Sequence, residues 1–228
     1  MKLHLGSGSH YIDGYVNIDL PASSHTVATP RVDLVADFTK LTYAPGSIEE
    51  IRLHHVFEHF TRARALGLLL AWRRWLAVDG ILHIEKPDFD RCLWYYLFSG
   101  AKAKSEILRH IFGSQEAHWV NHYDGWSARQ YRQVLTALGF TITAIERRSN
   151  SLSTRYNTRL FNWLGLLIPN ALYRRFGMNK LPNITVIARK TSQTVHEPTA
   201  LRKLLAQYLV GTEGDELLAV WLREVGGE

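Results

Sequence analysis

The chain has 228 residues, 46% of them hydrophobic and 21% charged, with 27 Lys and Arg against 21 Asp and Glu for a net charge of +6. That balance belongs to a globular chain with a buried core and excludes a disordered or collagen-like polymer. No run approaches the roughly 18 consecutive apolar residues of a membrane-spanning helix, and a single cysteine, Cys92, excludes an internal disulfide. The opening MKLHLGSG turns to glycine and polar residues too early for a secretory signal, so a cytoplasmic protein is expected.

Lys2–Leu5 reads as a short strand entering Gly6-Ser7-Gly8, Tyr15–Asp19 as a second strand and Asp33–Ala36 as a third. Pro45-Gly46 marks a turn, and Ile48–Val56 follows as a fourth strand. From Glu58 to Ala77, the residues Phe60, Ala63, Leu66, Leu70 and Trp75 recur near the helical period. Asp79-Gly80 stops that helix, and Gly80–Lys86 is a fifth strand closed by Pro87. Phe89–Phe112 is a mixed helical region, and Ser127–Leu138 is a helix capped by Ser127 and stopped by Gly139. Phe140–Glu146 alternates as a strand, with Asn183–Arg189 as its antiparallel partner. Between those two, Thr158–Phe176 reads as helical. After a polar stretch from Thr191, amphipathic segments Leu201–Leu209 and Leu217–Val225 follow.

Strands alternating with helices predict an α/β fold with a Rossmann-like, mostly parallel sheet and an antiparallel terminal hairpin at its edge. The connection between the first two strands is short, and a helical extension stands at the C-terminal end. Residues 1–190 are expected to form one domain, with 158–182 inserted between its last two strands, and 191–228 a linker and helical extension.

Gly6 and Gly8 let the backbone approach a ligand where a side chain would block it. They follow a strand end, where open α/β sheets bind ligands, and Asp19 ends the adjacent strand, where a carboxylate can accept from two ribose hydroxyls. A plain turn with a capping aspartate explains the same residues. A dinucleotide fingerprint is disfavoured, because Tyr11 stands in place of its third glycine and the acidic residue comes too early. Ser9–Gly14 is too short for a crossover helix, so the expected site is built from a compact loop.

DLVADFTKL (33–41), EEIRLHHVFEHF (49–60) and DGILHIEKPDFDR (79–91) follow the glycine turn in order. With LHLGSG…YVNID, they resemble the class I S-adenosylmethionine-dependent methyltransferases. The likeness is greatest to the small type 11-like group that begins LNLGCG…YINID and carries LEH after the fourth strand, here FEH. It spans residues 1–148 and the strand near 183–190.

The resemblance implies S-adenosylmethionine as cofactor. It places Gly6, Ser7 and Gly8 against the cofactor, Asp19 on its ribose, Asp37 and Phe38 at its adenine, and His55 and Val56 facing the sulfonium and the acceptor. Ser7 stands where relatives often have cysteine, a difference to which a backbone contact is indifferent. A carboxylate at Asp37 suits the exocyclic amine of adenine, and a turn or N-cap role explains it too.

Methyl transfer from a sulfonium is an in-line displacement in which positioning supplies much of the acceleration. An oxygen or nitrogen acceptor also calls for a base, a role histidine fills near neutral pH. His54, His55, Glu58 and His59 crowd the segment after the fourth strand, and EAHWVNHYDGW (116–126) adds His118 and His122. We expect His55, His59, His118 and His122 to line the acceptor site, one of them as base. Glu58 and His59 can also serve simply as helix caps. His118 and His122 lack an evident third ligand, so no metal is expected. Asp88 is a further candidate that a Pro-Asp turn explains equally.

The resemblance makes the expected substrate a small molecule, a saccharide or glycoconjugate precursor. The cations Arg147, Arg148, Arg155, Arg159, Arg174, Arg175, Lys180, Arg189 and Lys190 raise nucleic-acid methylation as an alternative. The ending HHVFEH, rather than the Asn/Asp-Pro-Pro-Tyr/Phe of enzymes that modify base amino groups, counts against it. The segment 158–176, apolar with arginine flanks, can make a peripheral membrane contact, cover the pocket, form a dimer contact or pack within the domain. A non-catalytic scaffold that binds a partner or membrane is the remaining alternative.

Overall fold

The structure is a computed structural model that describes residues 1–22, 30–148 and 181–226. The segment 158–176 and the cations Arg155, Arg159, Arg174, Arg175 and Lys180 lie outside them. The strands are β1 (Lys2–Leu5), β2 (Val16–Asp19), β3 (Leu34–Val35), β4 (Ile48–His54), β5 (Leu76–Pro87), β6 (Phe140–Arg148) and β7 (Asn183–Lys190). The helices are α1 (Arg62–Trp75), α2 (Phe89–Phe98), α3 (Ala101–Phe112), α4 (Ala128–Ala137), α5 (Glu197–Ala206) and α6 (Asp215–Gly226). The sheet order is β3-β2-β1-β4-β5-β7-β6. The strands from β3 through β5 pair in parallel, and β7 runs antiparallel to both neighbours. The antiparallel β7–β6 pair thus closes one edge of the sheet, with β6 outermost. Among the described residues no helix is long and apolar enough to cross a membrane.

The ends of two elements differ from the sequence reading. Helix α1 starts at Arg62, with the Thr61 hydroxyl accepting from Arg64 N, and Phe57–His59 forms a separate 3-10 turn before it. It ends at Trp75, where β5 begins at once. Asp79-Gly80 interrupts β5 as a bulge: Ile48 pairs with Leu76, while Glu50 pairs with Ile81. Asp79 there takes a positive φ of 66°. Asp-Gly thus marks a break, but one inside a strand. Ser127 and Gln130 form the reciprocal capping box that starts α4.

The short β1–β2 connection works because the strands are short. Four residues span only about 13 Å at ~3.3 Å each, so an extended loop can run back along them. Buried Asn17 ties the loop down. Its Oδ1 accepts from Ile12 N at 3.0 Å and lies 3.0 Å from His4 Nδ1, while its Nδ2 donates to Ile12 O and Tyr15 O.

The register gives the sheet two unlike faces. One carries Leu3, Leu5, Ile51, Leu53, Leu82, Ile84, Ile184 and Val186, all fully buried in one core with residues of α1, α4, α5 and α6. On the other face, Asn17, His4, Arg52, His83 and Ile187 stand opposite one another across five strands. The next row holds His54, Glu85, Thr185 and Glu146.

Candidate active site

The glycine turn follows β1 at the point where the chain's path through the sheet reverses, with β2 and β3 on one side of β1 and β4 on the other. Open α/β sheets bind ligands at this crevice. Gly6 and Gly8 both adopt left-handed backbone, with φ of 67° and 52°. A Cβ on Gly6 would run into the Val56 side chain, whereas none of the described atoms crowds Gly8. Gly6 N and Ser7 N both donate to Ile18 O, at 2.8 and 3.1 Å, binding the turn to β2. Asp19 then faces the turn: Oδ2 accepts from Gly8 N at 2.5 Å and Oδ1 from Leu20 N at 2.7 Å. Asp37 accepts from Thr39 N and Thr39 Oγ1 and so caps the 3-10 turn Phe38–Lys40, while also bordering the cavity.

Beyond β4, Phe57 is driven into the core against Trp72, Trp126 and Tyr131, which pins the segment around it. His55 is left with a positive φ of 53°, a strained state for a residue with a side chain and one that clusters at functional sites. Its Nδ1 lies 3.3 Å from Oε1 of Glu58, whose side chain is 1% exposed. Its Nε2 lies 3.1 Å from Asn183 Nδ2, and Asn183 Oδ1 in turn faces His110 Nε2 at 3.1 Å. With His110 Nε2 donating, that chain fixes the amide and leaves His55 with its proton on Nδ1, toward the carboxylate. Burial disfavours the charged ring, but the Glu58 hydrogen bond and charge, with Glu85 farther off, outweigh it and raise the His55 pKa.

A cavity of about 1120 Å³ lies over this end of the sheet, somewhat larger than the ~300–1,000 Å³ usual for one small ligand. Its wall contains Gly6, Ser7, Gly8, Asp19, Asp37, Phe38, His55, Val56, His59 and His118 from the sequence reading. His122 is absent from that wall. It packs its ring against His59 at 4.9 Å, places Nδ1 3.1 Å from His110 O, and is lowered to about 4 by burial. Both nitrogens of His59 face carbonyl oxygens, of Asn121 and His55. Asp88 is fully buried, accepting from Arg91 N at the start of α2 and facing Arg147, so it too lies away from the cavity.

Sequence reasoning missed the floor of the cavity, where Arg52, His54, His83, Glu85, Glu146, Thr185 and Ile187 come from four strands. It also treated Glu58 as a possible cap, although Glu58 is the carboxylate beside His55.

No protein-family model matches the sequence, and comparison with curated proteins finds no match. Among solved structures, an S-adenosylmethionine-dependent methyltransferase from Methanosarcina mazei aligns with a TM-score of 0.50 at 12% identity, over 84% of this chain and 92% of its own. This chain has the class I methyltransferase fold. A methyltransferase from Archaeoglobus fulgidus gives 0.49 at 12% identity, over 83% and 85% of the two chains. The 1,6-didemethyltoxoflavin-N1-methyltransferase of Burkholderia thailandensis, solved with S-adenosylhomocysteine, gives 0.47 at 15%, over 84% and 71%.

In this methyltransferase-fold chain, three cations of the basic stretch, Arg147, Arg189 and Lys190, are already engaged. Arg147 pairs with Asp90 and faces Asp88, Arg189 faces Asp79, and Lys190 donates to Leu76 O.

Proposed function

We propose that the chain is a methyltransferase that moves a methyl group from S-adenosylmethionine to a small-molecule acceptor. The observation that carries this reading is the Asp19 carboxylate held against Gly8 N, on the cavity wall at the reversal point of the sheet. Each carboxylate oxygen keeps a second lone pair, so Asp19 can still accept from ribose hydroxyls while it holds the turn. Gly8 leaves space for the close backbone approach. Bound there, S-adenosylmethionine supplies an electrophilic methyl carbon on a sulfonium.

His55 serves as the base. Glu58, 3.3 Å from Nδ1, holds the ring by its charge, leaving Nε2 to take a proton from an acceptor hydroxyl or amine that displaces the Asn183 amide. His59, with both nitrogens on carbonyls, positions the turn, and His118 borders the cavity beside Trp119. We read the acceptor as a saccharide or glycoconjugate precursor. Trp119 and Glu146 on the cavity wall support that class, since a sugar offers a ring face for an indole and hydroxyls for a carboxylate. The lone, buried Cys92 suits a reducing, cytoplasmic setting.

The test is calorimetric titration with S-adenosylhomocysteine. Micromolar binding is expected, weakened tenfold or more in Asp19→Ala, a loss of about 1.4 kcal/mol. Absence of binding to the folded wild-type protein overturns the reading.

A further inference from the structure

We propose that His54, His83 and Glu85 form a site for one divalent transition-metal ion of the zinc type, on the cavity floor. His54 ends β4 directly opposite Glu85 of β5, and His83 stands two residues before Glu85 on the same face. One ligand atom from each of the three lies within 4.8 Å of the others. Donors around a tetrahedral ion with ~2.1 Å bonds stand about 3.4 Å apart, so small side-chain rotations close the set.

The two imidazoles lack hydrogen-bonding work. Among the described residues, neither His54 nor His83 makes a side-chain hydrogen bond, and His83 Nε2 is buried without a partner. An unsatisfied buried nitrogen is costly and calls for an explanation. Glu85 is oriented by the Thr185 hydroxyl, which donates to its Oε2 at 3.2 Å and leaves Oε1 free of it, the kind of outer support metal ligands receive. A neutral imidazole offers an ion the lone pair of one ring nitrogen. The Arg52 charge is met by Glu50 at 3.1 Å.

Two imidazoles and one carboxylate make a borderline donor set, suited to Zn²⁺ or Co²⁺ and not to Mg²⁺ or Ca²⁺, which favour oxygen. All three residues border the cavity, so the remaining positions on the ion open into it. His10 and His4 surround the same point, with ring centroids 5.1 and 5.2 Å from that of His54. A second trio, Glu58, His59 and His122, has similar donors. There the His59 ring nitrogens already face two backbone carbonyls, so an ion would have to displace one of those contacts.

The experiment uses the full chain after chelator treatment. Zn²⁺ is titrated by calorimetry and Co²⁺ by its visible absorption, in wild type, His83→Ala, Glu85→Gln and His59→Gln, each checked for folding by circular dichroism. We expect one ion per chain, at least tenfold weaker binding in His83→Ala and Glu85→Gln, and undiminished binding in His59→Gln. Glu85→Gln is nearly isosteric and keeps the test valid should His83→Ala unfold. No binding at millimolar metal, equal binding in the folded variants, or loss confined to His59→Gln overturns the site. S-adenosylhomocysteine titration of the same samples separates this result from the fate of the methyl-transfer reading.

Discussion

Glu58 reaches His55 across one turn of backbone, Oε1 to Nδ1 at 3.3 Å, with the carboxylate buried and the imidazole at the cavity. The pair orders the ring by a charge that water does not screen. Glu58→Gln keeps the shape and removes the charge. Once an acceptor is in hand, we expect kcat to fall by about 10²-fold or more, with the KM for S-adenosylmethionine little changed and the pH–rate profile displaced. A fall confined to KM would mean that Glu58 only supports the cavity wall.

The same pair sets a pH window for stability. Burial opposes the Glu58 charge, but the hydrogen bond and charge of His55, with Lys86 and His59, win and hold its pKa down to about 2 from an ordinary 4.5. The carboxylate's contribution is therefore complete above pH 4.5 and is lost as pH falls toward 2. His55 is raised, so its contribution is complete below its ordinary 6.5 and is lost as pH rises through the folded value. Urea unfolding of chelator-treated protein should find the pair's largest effect between pH 4.5 and 6.5, and Glu58→Gln should flatten the acid limb. Parallel acid limbs in the two proteins would deny Glu58 this part.

How far the sequence could be read followed how local each feature was. Gly6, Gly8 and Asp19 were readable because two consecutive strands and one loop make the turn. The capping box of Ser127 and Gln130 spans four residues, and Ser127 is recognisable in the sequence. The cavity floor was not readable, because Arg52 meets His83, and His54 meets Glu85, only through the β4–β5 register. That register is itself reset by the bulge at Asp79-Gly80, which reads in sequence as a helix stop. Glu58 was visible among its neighbours, but starting the helix there made it a cap. Thr61, three residues later, is the residue that caps. His122 shares a short loop with His118, yet its ring turns inward behind His59.

Cys92 illustrates burial as the leading influence on a nucleophile. It is fully enclosed beside Tyr95 and Ile107, and burial, with Asp88 adding to it, pushes its thiol up to about 12. The thiolate that reacts is thus scarce at neutral pH as well as inaccessible. A disulfide reagent such as Ellman's should leave the native protein unmodified for hours and titrate one thiol at once in guanidinium. Rapid reaction of the native protein would mean that the α2–α3 pair opens.

Helix α6 packs along α1 and approaches its backbone most closely at Gly67. Gly67 lies where a Cβ would meet the carbonyl oxygen of Val225 in α6, and the Thr61 hydroxyl donates to Glu224, the residue before Val225. Alanine is the better helix former by about 1 kcal/mol, so propensity alone makes Gly67→Ala stabilising. The backbone of α6 cannot yield as a flexible side chain would, and overpacking of this kind costs about 1–3 kcal/mol. We expect the clash to prevail and the melting midpoint to drop by several degrees, at roughly 2–4 °C per kcal/mol for a chain of this size. Removal of residues 215–226 together with the substitution should abolish the difference, because the obstacle is then gone. A Gly67→Ala variant more stable than wild type would show that α6 does not hold this position against α1.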